Sequence, residues 1–541
     1  MAKFRNQNLR DSLAKMQPKS ELVEAVAIPK PDTKNRQGHA AYSLDKWLRL
    51  LTMLNTLKLE NQFYRSENET MRELKTLVDE CAKEDTYLAA QCIVYSRCVG
   101  EGMRSVNHLA ASYLAPHCAG KDWAKRFYGL WNKKTKSGGT VFRPDDMSEI
   151  IACFSAMNKT AVTNSMKKGF SSALENMDAY SLLKYKSSLI DVINLVHPSP
   201  KNAKAIVEVN GERISVIDAI MKGLSVSADT WEVAQSDAGQ EVAKAVKEGK
   251  IDEKDAEKIL KEAKAENWNA LLKEGKLGIL AALRNIRSIL KTDAKTETVD
   301  LLCALLSDAE AIRKGKVMPY QIDLAQEVVN AEFGSSDSRK IVQALLKGYE
   351  TAVPNLAEML PGRNLVMVDF SGSMSARVAD PNRKTNYTST CMDKAALITA
   401  TIAKATNADI IRFGSTAEYV KYNANADVFT IAKSMKKDMG GTSLSTAWNE
   451  AQRSGLKYDR VFILSDNECN RGSSYTSYMS YVKGVGSPYV YSVDMAAYGT
   501  AQLAGDKVRF YYGYGYSMFD DIAKSEFNPN YHLDKVKQII I

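Results

Sequence analysis

The chain has 541 residues, 45% of them hydrophobic and 25% charged, and its 73 Lys and Arg against 64 Asp and Glu give a formal net charge of +9. That length predicts two or more domains. With no run near the ~18 apolar residues of a membrane span and no signal-peptide core in Met1 to Pro18, a cytoplasmic chain is expected, not a membrane or secreted one. The basic lean permits nucleic-acid partners without requiring them, because a solvated Lys-rich surface gives the same number. Eight cysteines without a C-x-x-C pair read as reduced thiols.

Residues 1–34 read as a loosely ordered arm, polar and broken by Pro18, Pro29 and Pro31. From about Ser43 to Gly348 the apolar pattern is helical almost throughout. Trp47, Leu50, Leu54 and Leu57 make one stripe; Leu88, Cys92, Tyr95 and Val99 another; Ile279, Leu283, Ile286 and Leu290 a third. Many helices without strands between them predict stacked antiparallel pairs, as in a solenoid, although no strict sequence period is visible. Lys121, Lys125, Arg126, Lys133, Lys134 and Lys136 carry Trp123, Phe127 and Trp131 among them. Aromatics between cations suit single-stranded nucleic acid, but the i, i+4, i+8 spacing favours helix core. The Lys-, Glu- and Ala-rich segment Gly239–Glu266 reads as an exposed, inserted helix or hairpin.

Near Pro354–Pro361 the pattern changes. Strands at Asn364–Val368, Asp409–Phe413, Arg460–Leu464 and Tyr489–Val493 alternate with helices over Cys391–Ala405 and after Thr442, with Val508–Tyr512 as a possible edge strand. This predicts a doubly wound parallel α/β sheet. The division expected is a helical domain over 35–355 and an α/β domain over 361–541.

The first of these strands ends in Asp369-Phe370-Ser371-Gly372-Ser373. Asp-x-Ser-x-Ser puts three hard oxygen donors on one loop at a strand's carboxyl end, where open α/β sheets bind ligands. Gly440-Gly441-Thr442 supplies a further hydroxyl, and the strand ending in Ser465-Asp466 a further carboxylate. Asp369, Ser371, Ser373, Thr442 and Asp466 are therefore the candidate metal ligands. Oxygen-only ligation suits Mg²⁺ or Mn²⁺ rather than zinc. The set resembles the metal-ion-dependent adhesion site of von Willebrand factor A (vWA) domains. The resemblance implies that the hydroxyls bind the ion directly, that the carboxylates often act through water, and that one position stays open for an acidic group. Ser443 stands after Thr442 where the resemblance leads one to expect an acid.

Several stretches of the helical half, in order, resemble the TROVE module of the Ro autoantigen family. They are Asn35-Arg36-Gln37-Gly38 before the Trp47 helix; Leu183-Lys184-Tyr185-Lys186 leading to Asp191–Pro198; Thr230-Trp231-Glu232; Gly275-Lys276-Leu277-Gly278; Leu283–Arg287; and Met318-Pro319-Tyr320. Ser465-Asp466-Asn467-Glu468 in the α/β half also matches Ro proteins. The compact form resembles bacterial or phage-type members more than vertebrate ones. The resemblance implies a ring of HEAT-like helix pairs closed by a vWA domain, and a non-catalytic role. Single-stranded ends of misfolded RNA would pass through a basic central hole, and a small Y or Y-like RNA would lie on the outer surface. Phosphate contacts would supply affinity, and shape would supply selection. A scaffold for an exoribonuclease, a monomeric protein and no DNA or membrane partner are implied with it. The candidate RNA contacts are Lys167, Lys168, Lys184, Lys186, His197, Arg284 and Arg287, although each lysine could equally be a solvated surface residue and the arginines could bridge helices. The competing reading is a metal-dependent protein–protein interaction module gripping acidic groups. A metal-dependent nuclease fits worst, since two-metal hydrolysis needs clustered carboxylates rather than hydroxyls.

Overall fold

The computed structural model describes residues 29–57, 59–132, 142–157, 161–224, 226, 242, 244, 246–248, 250, 252–292, 295–375 and 389–541. The motif Thr230-Trp231-Glu232, the lysines Lys133, Lys134 and Lys136, almost all of the 1–34 arm and part of the Gly239–Glu266 segment lie outside them.

Eleven strands are described: β1 Thr33–Lys34, β2 Ala40–Ser43, β3 Ile206–Val209, β4 Glu212–Ser215, β5 Asn364–Asp369, β6 Asp409–Phe413, β7 Ala417–Tyr419, β8 Arg460–Ser465, β9 Tyr489–Asp494, β10 Thr500–Ala501 and β11 Val508–Tyr512. The other elements described up to Met359 are helical. The helix Lys46–Thr56 is capped by Asp45, whose carboxylate accepts from the Trp47 and Leu48 amides, and it buries Trp47, Leu50 and Leu54 as its stripe requires. The long helix Glu67–Cys98 breaks at Asp85, which has extended backbone angles. Leu88, Cys92 and Tyr95 are buried along its second part, but Val99, just past its end, is exposed.

One element departs from the all-helical expectation. β3 and β4 form an antiparallel hairpin in which Ile206 faces Ser215. Asn210 and Gly211 between them both have positive φ, 52° and 82°. Asn-Gly is the preferred pair for a two-residue hairpin turn, so the signal was present in the sequence but was masked by the helical periodicity around it.

The main sheet has the order β11-β9-β8-β5-β6-β7. All its pairings are parallel except that of β7, a short antiparallel edge strand not anticipated from sequence. Side chains alternate between its faces. Val366, Val368, Phe462, Leu464, Tyr491 and Val493 enter a core shared with the helices between Trp268 and Leu360. Leu365, Met367, Ile411, Phe413, Val461 and Ile463 face helices Leu444–Ser454 and Ser474–Gly484. Burial on both faces explains why these strands read as continuous apolar runs.

The hydrophobic cores cut across the expected division of the chain. The helices up to Met221 share a core with Ala497, Tyr512, Val536 and Ile541. The later helices share theirs with the sheet. Both ends of the helical half thus bear on the α/β domain, and they meet each other at Glu101. Lys316 Nζ donates to the Gly100 carbonyl (2.5 Å), Ser517 Oγ donates to Glu101 Oε1, and Gly513 N donates to Thr56 Oγ1 (3.0 Å). β2 adds a second tie, pairing antiparallel with both β1 and β10.

Candidate metal centre and nucleic-acid interface

β5 is central, and the chain leaves it to β6 on one side and returns to β8 on the other. The carboxyl ends of β5 and β8 therefore flank a topological switch point, where the sheet opens a crevice. Three loops converge there. Asp369 ends β5, fully buried; its Oδ1 accepts from the Ser371 amide (2.9 Å) and its Oδ2 from Ser465 Oγ (2.6 Å). Ser371 and Ser373 hold their hydroxyls 3.3 Å apart. The Gly372 amide donates to the Gly440 carbonyl (2.8 Å), fastening the first loop to the second.

Gly440 takes a φ of 77°, a conformation open to glycine at no steric cost. Gly441 N then donates to Ser415 Oγ (2.8 Å). Thr442 is buried and reciprocally bonded to the third loop: its amide donates to Asn470 Oδ1 (3.1 Å), and the Asn470 amide donates to its carbonyl (3.0 Å). Asp466 is buried and accepts from the Glu468 amide (3.1 Å). The five candidate ligands thus come together at one place. Ser443 is buried, with its hydroxyl 2.8 Å from that of Ser445.

Burial pushes the Asp369 carboxyl well up, and the neighbouring charge of Asp466 adds to this; burial raises Asp466 likewise. Glu468 is pushed up to about 8 by burial and by Asp466, and Asp494 to about 6, chiefly by burial. Four acids held in one desolvated crevice with three hydroxyls make a donor set of hard oxygens that favours a divalent cation such as Mg²⁺. Among the described residues no group of three or more His, Cys, Asp or Glu is arranged to hold a metal.

Neighbouring side chains hold these groups in place. Ser465 Oγ bonds Asp369 and accepts from Gln502 Nε2 (3.0 Å), and Asn470 orients Thr442. Asn35-Arg36-Gln37-Gly38 and Ser465-Asp466-Asn467-Glu468 both stood out in the sequence, and the fold brings them into contact. Asn35 Nδ2 donates to the Cys469 carbonyl (2.7 Å) and Gln37 N to Glu468 Oε2 (3.2 Å).

The RNA candidates do not form one patch. Lys167 and Lys168 sit inside helix Asn164–Glu175, which Thr163 caps. Lys184 closes the short helix Ala179–Lys184 and lies over the exposed Tyr180 ring, 5.6 Å from its centroid. Lys186 Nζ donates to the Leu224 carbonyl (3.3 Å). His197 ends the helix Lys186–Val196 in the left-handed region (φ 51°), donating its amide to Ile193 while its ring stays exposed. Lys186 and His197 lie at opposite ends of that helix, roughly 16 Å apart. Arg284 is exposed, and Arg287 bridges to Glu332 on helix Pro319–Glu332 (2.5 Å), as its bridging alternative required. Tyr185 is covered by the Arg143 guanidinium at 5.5 Å. Phe127 and Trp131 are fully buried in an edge-to-face cluster, so they are core.

A mainly helical half packed on a mostly parallel α/β sheet, with an oxygen-rich crevice at the sheet's carboxyl edge, defines the class of protein. The TROVE domain family matches residues 91–406, more than half of the chain. The chain belongs to that family, to which the order of its motifs pointed. Among solved structures it resembles the Ro (RSR) protein of Deinococcus radiodurans, with a TM-score of 0.52 and 15% identity over 89% of this chain and 100% of that one; this likeness is one of fold. Proximal thread matrix protein 1 of the mussel byssus matches at a TM-score of 0.22 and 13% identity over 41% of this chain and 56% of that one, too slight to carry an argument.

Proposed function

We propose that this protein is a non-catalytic, Ro-type RNA-binding protein of the cytoplasm. The observation that carries the reading is the TROVE family match across a helical half whose two ends both pack on the α/β domain. In this reading the helices form a HEAT-like ring closed by a vWA domain that holds Mg²⁺ or Mn²⁺. The central hole takes single-stranded ends of misfolded RNA, and the outer surface takes a small structured Y-like RNA. The protein then acts as a monomeric scaffold that presents RNA to an exoribonuclease. Asp369, Ser371, Ser373, Thr442 and Asp466 would hold the ion, which supplies a point of positive charge for an oxygen ligand. Lys167, Lys168, Lys184, His197 and Arg284 are the RNA contacts in this reading; Lys186 and Arg287 already have protein partners.

Sequencing of RNA crosslinked to the protein in its native host tests this, with a Lys168/Lys184/His197 triple-alanine variant beside it. The expected result is enrichment of one small structured RNA, lost in the variant. Affinity for that RNA should fall steeply with salt, by about 0.7–0.9 log units per log unit of salt for each phosphate contact. No enrichment over a neutral control protein would sink the reading.

A further inference from the structure

The third metal loop is gripped from the other end of the chain. β1 and β2 form a hairpin in which Thr33 faces Ala41, and its tip turns on the side chain of Asn35 and on Gly38, at a φ of 79°. Asn35 is buried and uses both ends of its amide. Oδ1 accepts from the backbone amides of Gln37 (3.1 Å) and His39 (2.9 Å), while Nδ2 donates to the Cys469 carbonyl (2.7 Å). The peptide group joining Cys469 to Asn470 is thus held on both edges. Asn35 binds its carbonyl, and its N–H donates to the Thr442 carbonyl (3.0 Å). Such a peptide is polarised by each bond and cannot turn without breaking both. Thr442 hangs on this peptide and on the Asn470 side chain, which accepts from its amide (3.1 Å).

Two further contacts join the hairpin to the same loops. The Gln37 amide, shared with Asn35, also donates to the buried Glu468 at Oε2 (3.2 Å). β2 pairs with β10, Tyr42 facing Ala501, and the next residue, Gln502, donates to Ser465 Oγ, which itself donates to Asp369. The third loop depends on support from outside, because Asn467 within it has a φ of 63°, a region that L-residues enter only at a cost.

We propose that Asn35 is a positioning residue of the metal site, and that the hairpin it organises is a clamp whose docking and cation binding strengthen each other. The proposal rests on the reading of Asp369, Ser371, Ser373, Thr442 and Asp466 as a cation site. Asn35 acts through the Cys469–Asn470 peptide and not on the ion. The coupling is reciprocal: whatever factor the docked hairpin adds to cation affinity, a bound cation adds to hairpin docking.

The test is calorimetric titration of the full chain with Mg²⁺, beside hydrogen exchange of residues 33–43 with and without Mg²⁺. The variants are Asn35→Ser, Asn35→Ala and Asp369→Ala. The hydroxyl in Asn35→Ser can still accept within the turn but is too short to reach the Cys469 carbonyl as well. Asn35→Ser should bind Mg²⁺ about tenfold more weakly than wild type, and Asn35→Ala at least as weakly. In wild type, saturating Mg²⁺ should slow exchange of the Gln37 and His39 amides by a similar factor; in Asp369→Ala it should not. A role confined to the hairpin's own fold predicts faster exchange there in both Asn35 variants with Mg²⁺ affinity unmoved. That result, or wild-type exchange indifferent to Mg²⁺, would overturn the proposal. The exchange comparison needs wild type alone, so it decides even where an Asn35 variant fails to fold. Failure of wild type to bind Mg²⁺, or undiminished binding by Asp369→Ala, would overturn the cation site itself.

Discussion

Asp369 and Asp466 are buried carboxylates whose charged forms are opposed by burial and, at Asp369, also by the other's charge. In the metal-free protein they and Glu468 keep protons that the unfolded chain has released. Their contribution to stability is therefore full below the ordinary carboxylate range and is lost as pH climbs from about 4 toward about 8. Melting temperature in a chelator should fall across that window, recover on adding Mg²⁺, and respond less to both in Asp369→Asn. Asp369→Ala should abolish cation binding by calorimetry while leaving RNA affinity largely intact. A second buried charge cluster has no part in the site. Burial pushes Asp146 up, but His108, Arg97 and Arg104 outweigh it and hold its carboxyl well below the usual range. Arg97 Nη2 donates to it at 2.8 Å and Arg104 Nη2 at 2.5 Å, tying three helices. Asp146→Ala removes the buried carboxylate that Arg97 and Arg104 share and should cost about 3–5 kcal/mol in urea unfolding.

Between elements, the close approach of helices decides the packing. Gly348, on helix Ser336–Ala352, lies against helix Thr296–Leu306 so tightly that an added Cβ would stand 2.1 Å from the Leu306 carbonyl oxygen. Gly348→Ala should therefore destabilise by roughly 1–3 kcal/mol, seen as a lower denaturation midpoint with an unchanged slope. Helix stripes were legible because each buries one face. Ile279 and Ile286 are buried as their spacing requires, while Leu283 and Leu290 at the margin of the face are half-buried. The strands of the main sheet were legible for the opposite reason, since burial on both faces leaves unbroken apolar runs. β7 and the β3–β4 hairpin were not, because short, half-exposed strands carry little hydrophobic signal.

Across the whole molecule, the last described residues hold the first helices. Gln91 Nε2 donates to the Ile539 carbonyl (2.6 Å), Arg126 Nε to that of Ile541 (3.2 Å), and Ile541 N to the Tyr87 hydroxyl (3.2 Å). Removing residues 538–541 exposes the buried Ile541 site and should cost about 2–3 kcal/mol, with hydrogen-exchange protection lost first in helix Glu67–Cys98. Because the metal site touches both halves, a ligand there should stabilise them together. A cation at a hundred times its Kd should raise unfolding free energy by about 2.7 kcal/mol in one calorimetric transition. Two transitions, with only one responding, would show that the halves are uncoupled.

The sequence by itself determined the order of most helices and strands and the family, and it brought forward Asp369, Ser371, Ser373, Thr442 and Asp466 as candidate ligands. Each of these rests on local periodicity or on residues close together along the chain. It also brought forward Asn35-Arg36-Gln37-Gly38 and Ser465-Asp466-Asn467-Glu468, but as separate motifs. Only the tertiary structure decided that these two touch, that Lys186 and Arg287 are engaged by protein groups, and that the cores cut across the apparent domain division. Those are contacts between residues up to several hundred positions apart. They arise from which surfaces the folded halves bury against one another, and no local pattern encodes that choice.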